Sequence, residues 1–499
     1  MVMLTLFSSS RACLWALCML IYVYALRNRA LTLILPERWH QLNVCILSVL
    51  SMIAVSICIP FVLRYRGKSS CYLVDFCCTE EEGNASVTFT AFHEFLATWK
   101  SVHETNLRFM ERVLHRSGIG EESYAPPRLI AKAERTSMED ARAETESLIR
   151  AAAERLLQKV GVHSKEIDIL VVNSSLFNPV PSLAAYTVNA LRMRSNVKSF
   201  NLAGMGCSAG LIALALASDL LRVHPDSYAL VISTENITRN MYFGNADRSM
   251  MVANALFRCG CSAVLLSSKR RSRRHAKFRL MRCLRTHLGA DQKAYDCVHH
   301  IEDDKGIPGV SLQFNLVEVA GNALRTHIIK LAPSILAWNE LMKVLASLVK
   351  QKVLKIPGKM YEPDFKKYID HFCIHPGGRA VVDAIGKGLK LSPSDVEPGR
   401  MALYRFGNTS SSGIWYALAY SEAKGRLKKG DKIWQIGLGS GFKCNSAVWE
   451  VLRDIDPAMC RPCNPWMSCI DRYPVTSTLE GSDNAAPLQA AASTIAVAS

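Results

Sequence analysis

Several common signatures are missing from this 499-residue chain. Its 17 cysteines follow no short disulfide-framework spacing and no paired CxxC metal pattern. Cys77-Cys78, Cys259/Cys261 and Cys460/Cys463 come nearest, and no histidine completes a ligand set around them at zinc-finger spacing. Free thiols in a reducing compartment, and no metal, are therefore expected. Acidic residues are in short supply: 43 Asp and Glu stand against 60 Lys and Arg, a net charge of +17, with a basic run Lys269–His275. No nucleic-acid fold signature accompanies this charge, so no nucleic-acid partner is expected. Anionic lipid headgroups or CoA-type phosphates would fit it, and a solvated loop is the plain alternative. The Cys-Gly-Ser-Cys-Trp context of a papain-like protease is absent, and so is any residue-level internal repeat.

What is present begins with hydrophobic runs. Ala12–Leu26 is free of charge, and Leu42–Leu63 is long enough to span a bilayer. No small-residue cleavage site clearly follows the first run, so a signal peptide gives way to a two-span hairpin with both termini on one face. Arg64, Arg66 and Lys68 favour a cytoplasmic main domain. The sequons at Asn84, Asn173, Asn236 and Asn408 would matter only if that domain were lumenal.

Beyond a mixed stretch from Cys71 to Pro127, Ser137 and Asp140 match a capping box for a helix that runs to Lys159 and stops at Gly161. A regular alternation follows: strand Ile167–Val172, helix Ser182–Leu191, strand Ser199–Leu202, an apolar helix from about Leu211, and strands Tyr228–Ser233 and Ser262–Ser267. The second half reads as strand Phe278–Leu284, helix Ile335–Val353, a short run Phe372–Ile374, helix Arg379–Leu389, strand Met401–Arg405, helix Ile414–Arg426 and strand Asp431–Ile436. This pattern predicts an α/β fold with a largely parallel, doubly covered sheet. The expected organisation is a membrane anchor over 1–70, two α/β halves over 71–280 and 281–475, and a disordered Ala/Ser-rich tail over 476–499.

The chain is organised around Asn201–Gly210, where a strand meets small residues and then the apolar run Leu211–Leu221. Cys207 sits where the turn becomes the helix, near the positive end of the helix dipole, which favours thiolate. Gly206 and Gly210 allow substrate or neighbouring backbone to come close. An inert buried cysteine is the plain alternative. Two further loops, His375-Pro-Gly-Gly378 and Gly407-Asn408-Thr-Ser, read as strand-end loops that could converge with Cys207. A Cys attacks a thioester or ester, a His takes its proton or donates a hydrogen bond, and an Asn amide adds a neutral donor. Asn beside His suits the stabilisation of an enolate or a thioester oxyanion. Gly437-Leu-Gly-Ser-Gly441, with Gly439, Ser440 and Gly441 at its end, could offer backbone N–H groups to that anion. Each loop also has a bland reading as a core His, a turn-forming Asn or a Gly-rich turn.

Tyr72-Leu-Val-Asp-Phe76, Asn201–Gly210, Ser233-Thr-Glu-Asn-Ile237, Arg285-Thr-His287, His371-Phe-Cys-Ile-His375, Arg405–Ser412 and Trp434–Trp449 together resemble the plant 3-ketoacyl-CoA synthases. These are the membrane-bound condensing enzymes of very-long-chain fatty acid elongation. The resemblance covers roughly Cys71 to Val475. It implies a thiolase-like fold, with duplicated halves in five αβαβα layers and the active site between them. It also implies that Cys207 takes the acyl group from a long-chain acyl-CoA, and that His375 and Asn408 hold the malonyl-CoA thioester during decarboxylation. His287 and His371 match further histidines of the pattern, in supporting roles. No cofactor is implied. The endoplasmic reticulum membrane with the catalytic domain facing the cytosol, the other enzymes of the elongation cycle, and a homodimer are the implied setting and partners.

The chain departs from the family pattern at Tyr404, where His is usual, at Pro376, where Ala is common, at Cys77 and around Asn245-Ala-Asp-Arg248. These departures bear on acyl-chain preference and activity. A type III polyketide synthase-like enzyme would use the same three residues, and a non-catalytic membrane scaffold derived from the enzyme is the rival from another class.

Overall fold

The computed structural model describes residues 71–80, 86–124, 137–348, 350–351, 355, 357 and 361–475. The expected membrane hairpin, Asn84 and the expected C-terminal tail lie outside the described residues. Among those described, no helix is long and apolar enough to cross a membrane. The described residues divide into two compact units, one holding those within 329–361 and the other those within 71–328 and 362–475. The second carries the sheet and every candidate site residue.

The strands, in chain order, are β1 Tyr72–Cys78, β2 Ile169–Ser174, β3 Lys198–Ala203, β4 Tyr228–Glu235, β5 Gly260–Ser267, β6 Phe278–His287, β7 Val298–Glu302, β8 Pro308–Leu312, β9 His371–Ile374, β10 Lys432–Gly439 and β11 Lys443–Val451. The helices of eight residues or more are α1 Phe89–Ala97, α2 Glu104–Arg116, α3 Met138–Val160, α4 Leu183–Ala190, α5 Ala209–Val223, α6 Arg248–Leu256, α7 Leu316–Ile335, α8 Trp338–Leu348, α9 Arg379–Leu389, α10 Pro393–Phe406 and α11 Gly413–Ala423. Local chemistry accounts for many of the boundaries. Ser137 and Asp140 close the expected capping box of α3, and Gly161 ends it in the left-handed conformation at φ 63°.

Nine strands form one sheet in the order β3-β2-β4-β5-β1-β6-β11-β10-β9. The two halves of this order meet where β1 pairs with β6 through Tyr72–Arg279 and Leu73–Phe278. Among the described residues, the parallel strand pairs are β2–β3, β2–β4 and β9–β10, so the expectation of a largely parallel sheet is corrected to a mixed one. The β10–β11 pair is a hairpin closed by the turn at Ser440–Phe442, and the remaining antiparallel pairs of the sheet join strands separated by helices or by other strands.

Strand alternation builds two cores. Leu170, Val172, Leu230, Ile232, Ala263 and Leu265 pack beneath α3 and α4, while Ile169, Val171, Ala229, Val231, Val264 and Leu266 face α5 and α11. Helix α5 rests on β2 and β4 and also on β6 and β11, and α11 on β1, β9 and β10. Every residue of α11 is buried, as expected for a helix apolar on all sides. The Cys207 helix is thus held between strands of both halves, which fixes the turn at its start.

A buried ion cluster ties the halves. Lys277 Nζ lies 2.6 Å from Asp75 and 3.0 Å from Glu422, and Lys159 Nζ lies 2.9 Å from Asp75. Burial works against the Lys277 charge, but Glu422 and Asp75 outweigh it and raise its proton affinity.

Met401–Arg405, expected as a strand, is the last part of α10. Pro393 at its first position and the Ser392–Asp395 capping box start the helix upstream. A Cβ at Gly399 would lie 2.8 Å from the Ile374 carbonyl, so glycine lets α10 pack directly on β9. The helix expected over Ile335–Val353 is present as α8, Trp338–Leu348, and α7, which ends at Ile335, lies before it and was not expected. Strand β11 and the hairpin β7–β8 had not been foreseen.

Candidate active site

Four loops make up the site: the Asn408 and Gly439 loops approach the Cys207 turn, and the His375 loop is joined to them through Asn408. The first is the Cys207 turn, between β3 and α5. Gly206 has φ +72°, and a Cβ there would lie 2.4 Å from the Ser440 backbone nitrogen. A Cβ at Gly439 would lie 2.8 Å from the nitrogen of Ser208 and 3.1 Å from that of Cys207. The end of β10 therefore nests against the nucleophile turn because neither side carries a Cβ. Gly210 admits the Ser411 carbonyl oxygen in the same way, at 2.5 Å from a would-be Cβ.

The second loop follows β9, which ends at Ile374. His375 continues the strand's hydrogen bonding, its N–H donating to the Ile436 carbonyl at 2.9 Å. Pro376, a departure from the family pattern, packs on Gly413, where a Cβ would meet its Cγ at 2.8 Å. The third loop begins at Gly407 (φ +66°) and follows helix α10 rather than the expected strand. Asn408 bridges to Phe257: its N–H donates to Leu256 and its carbonyl accepts from Arg258. The Asn408 amide joins the second and third loops, donating from Nδ2 to the Gly377 carbonyl at 3.2 Å and accepting at Oδ1 from the Ser410 N–H at 2.9 Å. The fourth loop is Gly439–Gly441.

Burial sets the protonation of this site. Cys207 is half-buried, and desolvation pushes its thiol up to about 11, assisted by Glu235 and opposed by hydrogen bonds from Ser410 and Asn408. The expected thiolate at a helix N-terminus is thus corrected to a neutral thiol, because desolvation outweighs the dipole. Burial also moves the His375 imidazole down to about 4. Neither ring nitrogen of His375 has a hydrogen-bond partner among the described residues, and the same holds for Ser208 Oγ, Thr409 Oγ1 and Ser411 Oγ. Buried polar atoms left open cost about 1–3 kcal/mol each, which a substrate can recover by binding.

Cys207 also borders an apolar cluster of Ile237, Ala253, Phe257 and Val310, with Leu176, Val298 and Leu312 beside it. The hairpin β7–β8 supplies three of these residues. Glu235, at the end of β4, is a buried carboxylate with four hydrogen bonds. It lies within the Ser233–Ile237 segment of the family resemblance, yet only the fold brings it to Ser410.

The remaining sequence candidates fall elsewhere. His287 ends β6 opposite Lys443; its Nδ1 accepts from the Gly289 N–H at 2.9 Å, and it lies near Gly441. Burial and then Lys443 lower its proton affinity. His371 opens β9, at the other end from His375, with Nε2 2.9 Å from Asp431 Oδ2. Tyr404 packs on Gly120 and Tyr473, in the outer part of α10. Asn173, Asn236 and Asn408 are buried, so those three sequons are closed to glycosylation in the folded chain.

The family model described as FAE1/Type III polyketide synthase-like protein matches residues 62–353, and that of 3-oxoacyl-[acyl-carrier-protein] synthase III C terminal matches 366–451. The chain is 47% identical over 441 residues to 3-ketoacyl-CoA synthase 9 of Arabidopsis thaliana, covering 88% of this chain and 85% of that protein. It is 50% identical over 409 residues to 3-ketoacyl-CoA synthase 2 of the same plant, covering 81% and 77%. Among solved structures it is similar to CsyB complexed with CoA-SH (TM-score 0.60, 19% identity, 77% of this chain and 100% of that one). A similar likeness holds to PKS-I from the brown alga Ectocarpus siliculosus (TM-score 0.60, 17% identity, 77% and 99%). These two likenesses establish the thiolase-like α/β fold. By sequence identity and coverage, the chain belongs to the 3-ketoacyl-CoA synthases.

Proposed function

We propose that the chain catalyses the decarboxylative Claisen condensation of a long-chain acyl-CoA with malonyl-CoA, the first step of very-long-chain fatty acid elongation, with Cys207, His375 and Asn408 as the reacting and stabilising groups. The observation that carries this reading is the buried His375 imidazole, neutral and open at both nitrogens, held through Gly377 to Asn408 beside the Cys207 thiol.

In this reading Cys207 gives its proton to the neutral His375 imidazole, and its sulfur attacks the acyl-CoA carbonyl. The C–S bond to CoA breaks, CoA leaves as the thiol, and the acyl group rests on Cys207 beside the apolar cluster of Ile237, Ala253 and Phe257. Malonyl-CoA then enters. Its carboxylate leaves as CO2, and the electron pair of the broken C–C bond becomes an enolate at the thioester oxygen. Donors from His375 and the Asn408 amide stabilise that charge; a neutral imidazole can donate without being titrated. The enolate carbon attacks the acyl-Cys207 carbonyl, the tetrahedral oxyanion collapses, and 3-oxoacyl-CoA departs as Cys207 is released as a thiolate, which regains a proton from solvent. Gly439, Ser440 and Gly441 flank the turn and can supply backbone N–H groups there, while His287 and His371 support the site without touching the reacting atoms. The electrons balance without a redox partner, so the reaction requires no cofactor.

The N-terminal runs Ala12–Leu26 and Leu42–Leu63 support a two-span anchor in the endoplasmic reticulum membrane with the catalytic domain facing the cytosol. A homodimer, a five-layer duplicated architecture and association with the other elongation-cycle enzymes complete the reading. The test is microsomal elongation of a panel of acyl-CoA primers with labelled malonyl-CoA, using the full chain and its Cys207→Ala variant. Label should enter longer chains only with the intact thiol. Equal incorporation by Cys207→Ala would sink the mechanism.

A further inference from the structure

We infer that Glu235 is a positioning residue for the condensation step: through Ser410 it sets the orientation of the Asn408 amide and, with it, the loop that carries His375. This inference rests on the reading of Asn408 as a donor to the malonyl thioester.

Glu235 is the last residue of β4 and is buried. Its Oε1 accepts from Ser174 Oγ at 3.0 Å and from the Leu176 N–H at 2.9 Å. Its Oε2 accepts from the Ser175 N–H at 3.0 Å and from Ser410 Oγ at 2.9 Å. Three of these donors come from the end of β2 and the residues after it. The fourth comes from the distant Asn408 loop, so one carboxylate fastens that loop to the sheet. Four donors suit an ionised carboxylate, which only accepts.

Ser410 needs this fastening. Its φ is +53°, in the left-handed region that a residue with a Cβ seldom adopts. The strained turn aims the Ser410 N–H at Asn408 Oδ1. With Oδ1 occupied, the amide has one orientation: Nδ2 faces the Gly377 carbonyl with one hydrogen and leaves the other for the site. A relaxed Ser410 would remove the donor from Oδ1. The Asn408 amide could then rotate, and the hydrogen bond that holds Gly377, two residues after His375, would weaken. A residue that never meets substrate would thus control both donors of decarboxylation. Acyl transfer to Cys207 would not depend on it in this way.

The experiment compares Glu235→Gln, Ser410→Ala, the double variant and Asn408→Ala in the membrane-embedded full chain. Two rates are read for each: release of CoA on acylation of Cys207, and condensation with malonyl-CoA. Because Glu235 and Ser410 also act on the acidity of Cys207, the readout is the ratio of the two rates: for Glu235→Gln and Ser410→Ala, condensation kcat should fall about 10- to 100-fold further than the acylation rate does, less than the loss typical of deleting an oxyanion donor outright. The double variant should be no worse than the more impaired single one, because the two residues form a single link. If Asn408→Ala impairs condensation but Glu235→Gln and Ser410→Ala do not, the positioning role is overturned and the reading of Asn408 stands. If Asn408→Ala leaves condensation intact, that reading fails and the inference falls with it. Equal losses in both rates with a lowered unfolding temperature would mean a merely structural role and would also overturn it. Should Glu235→Gln fail to fold, Ser410→Ala, which removes a single hydroxyl, decides the matter alone.

Discussion

Alanine at Gly206 would test the nesting of the nucleophile turn against the β10 turn, with alanine at Gly204 as its internal control. Both glycines have φ near +65 to +72°, so each substitution carries the left-handed penalty of about 1–2 kcal/mol. They differ in what the new methyl meets. At Gly204 nothing lies within 4 Å. At Gly206 the Cβ would fall 2.4 Å from the Ser440 nitrogen, 2.6 Å from its Oγ and 3.1 Å from the Gly439 carbonyl carbon. Two of these three are backbone atoms, which move only if the whole turn moves. Overpacking of this kind costs about 1–3 kcal/mol. Gly206→Ala should therefore destabilise the protein by about 2–5 kcal/mol, against about 1–2 kcal/mol for Gly204→Ala. It should also displace Gly439–Gly441 from the thiol and slow acylation. Thermal unfolding of the purified full chain, together with CoA release from acyl-CoA, measures both effects. Equal destabilisation by the two variants, with acylation unchanged, would refute the nested geometry.

The remaining predictions are briefer. Because burial holds the Cys207 thiol near 11, its alkylation by iodoacetamide should rise about tenfold per pH unit from pH 7 to 10, as the thiolate fraction does below the pKa. A plateau by pH 8, read against the Cys207→Ala background, would instead show a thiolate at rest. Lys277→Met would leave Glu422 without its cation and Asp75 with Lys159 alone. It should cost about 3–5 kcal/mol in equilibrium unfolding, as loss of one partner from a buried ion pair does. A loss under about 1 kcal/mol would mean that the cluster is not desolvated. Elongation with Cys207→Ala and the rate split in Glu235→Gln complete the set.

Some of this protein was legible in its residues because the relevant forces are local. The α3 cap needs only Ser137, Asp140 and Gly161 within the same helix. Strands β2, β4 and β5 show as apolar runs because both their faces are buried. Cys207, His375 and Asn408 each stand in a loop of small residues whose chemistry can be read without a fold. Helix α10 was missed because Met401–Arg405 by itself is too short an apolar run to separate strand from helix. Strand β1 depends on β5 and β6, far along the chain, and β11 on β6 as well as on the neighbouring β10.

Everything that requires long-range contact or exclusion of water was decided by the tertiary structure. The sequence by itself determined the helix caps, the buried strands and the identity of the three loop residues. The fold determined the mixed strand order, since pairing direction follows from how each connection returns to the sheet. It also brought Gly206 against Ser440 and Glu235 against Ser410, across 234 and 175 positions of sequence respectively. It reversed the expected charge state of Cys207, because the dipole at a helix start is a local property whereas desolvation comes from all the chain packed around the thiol.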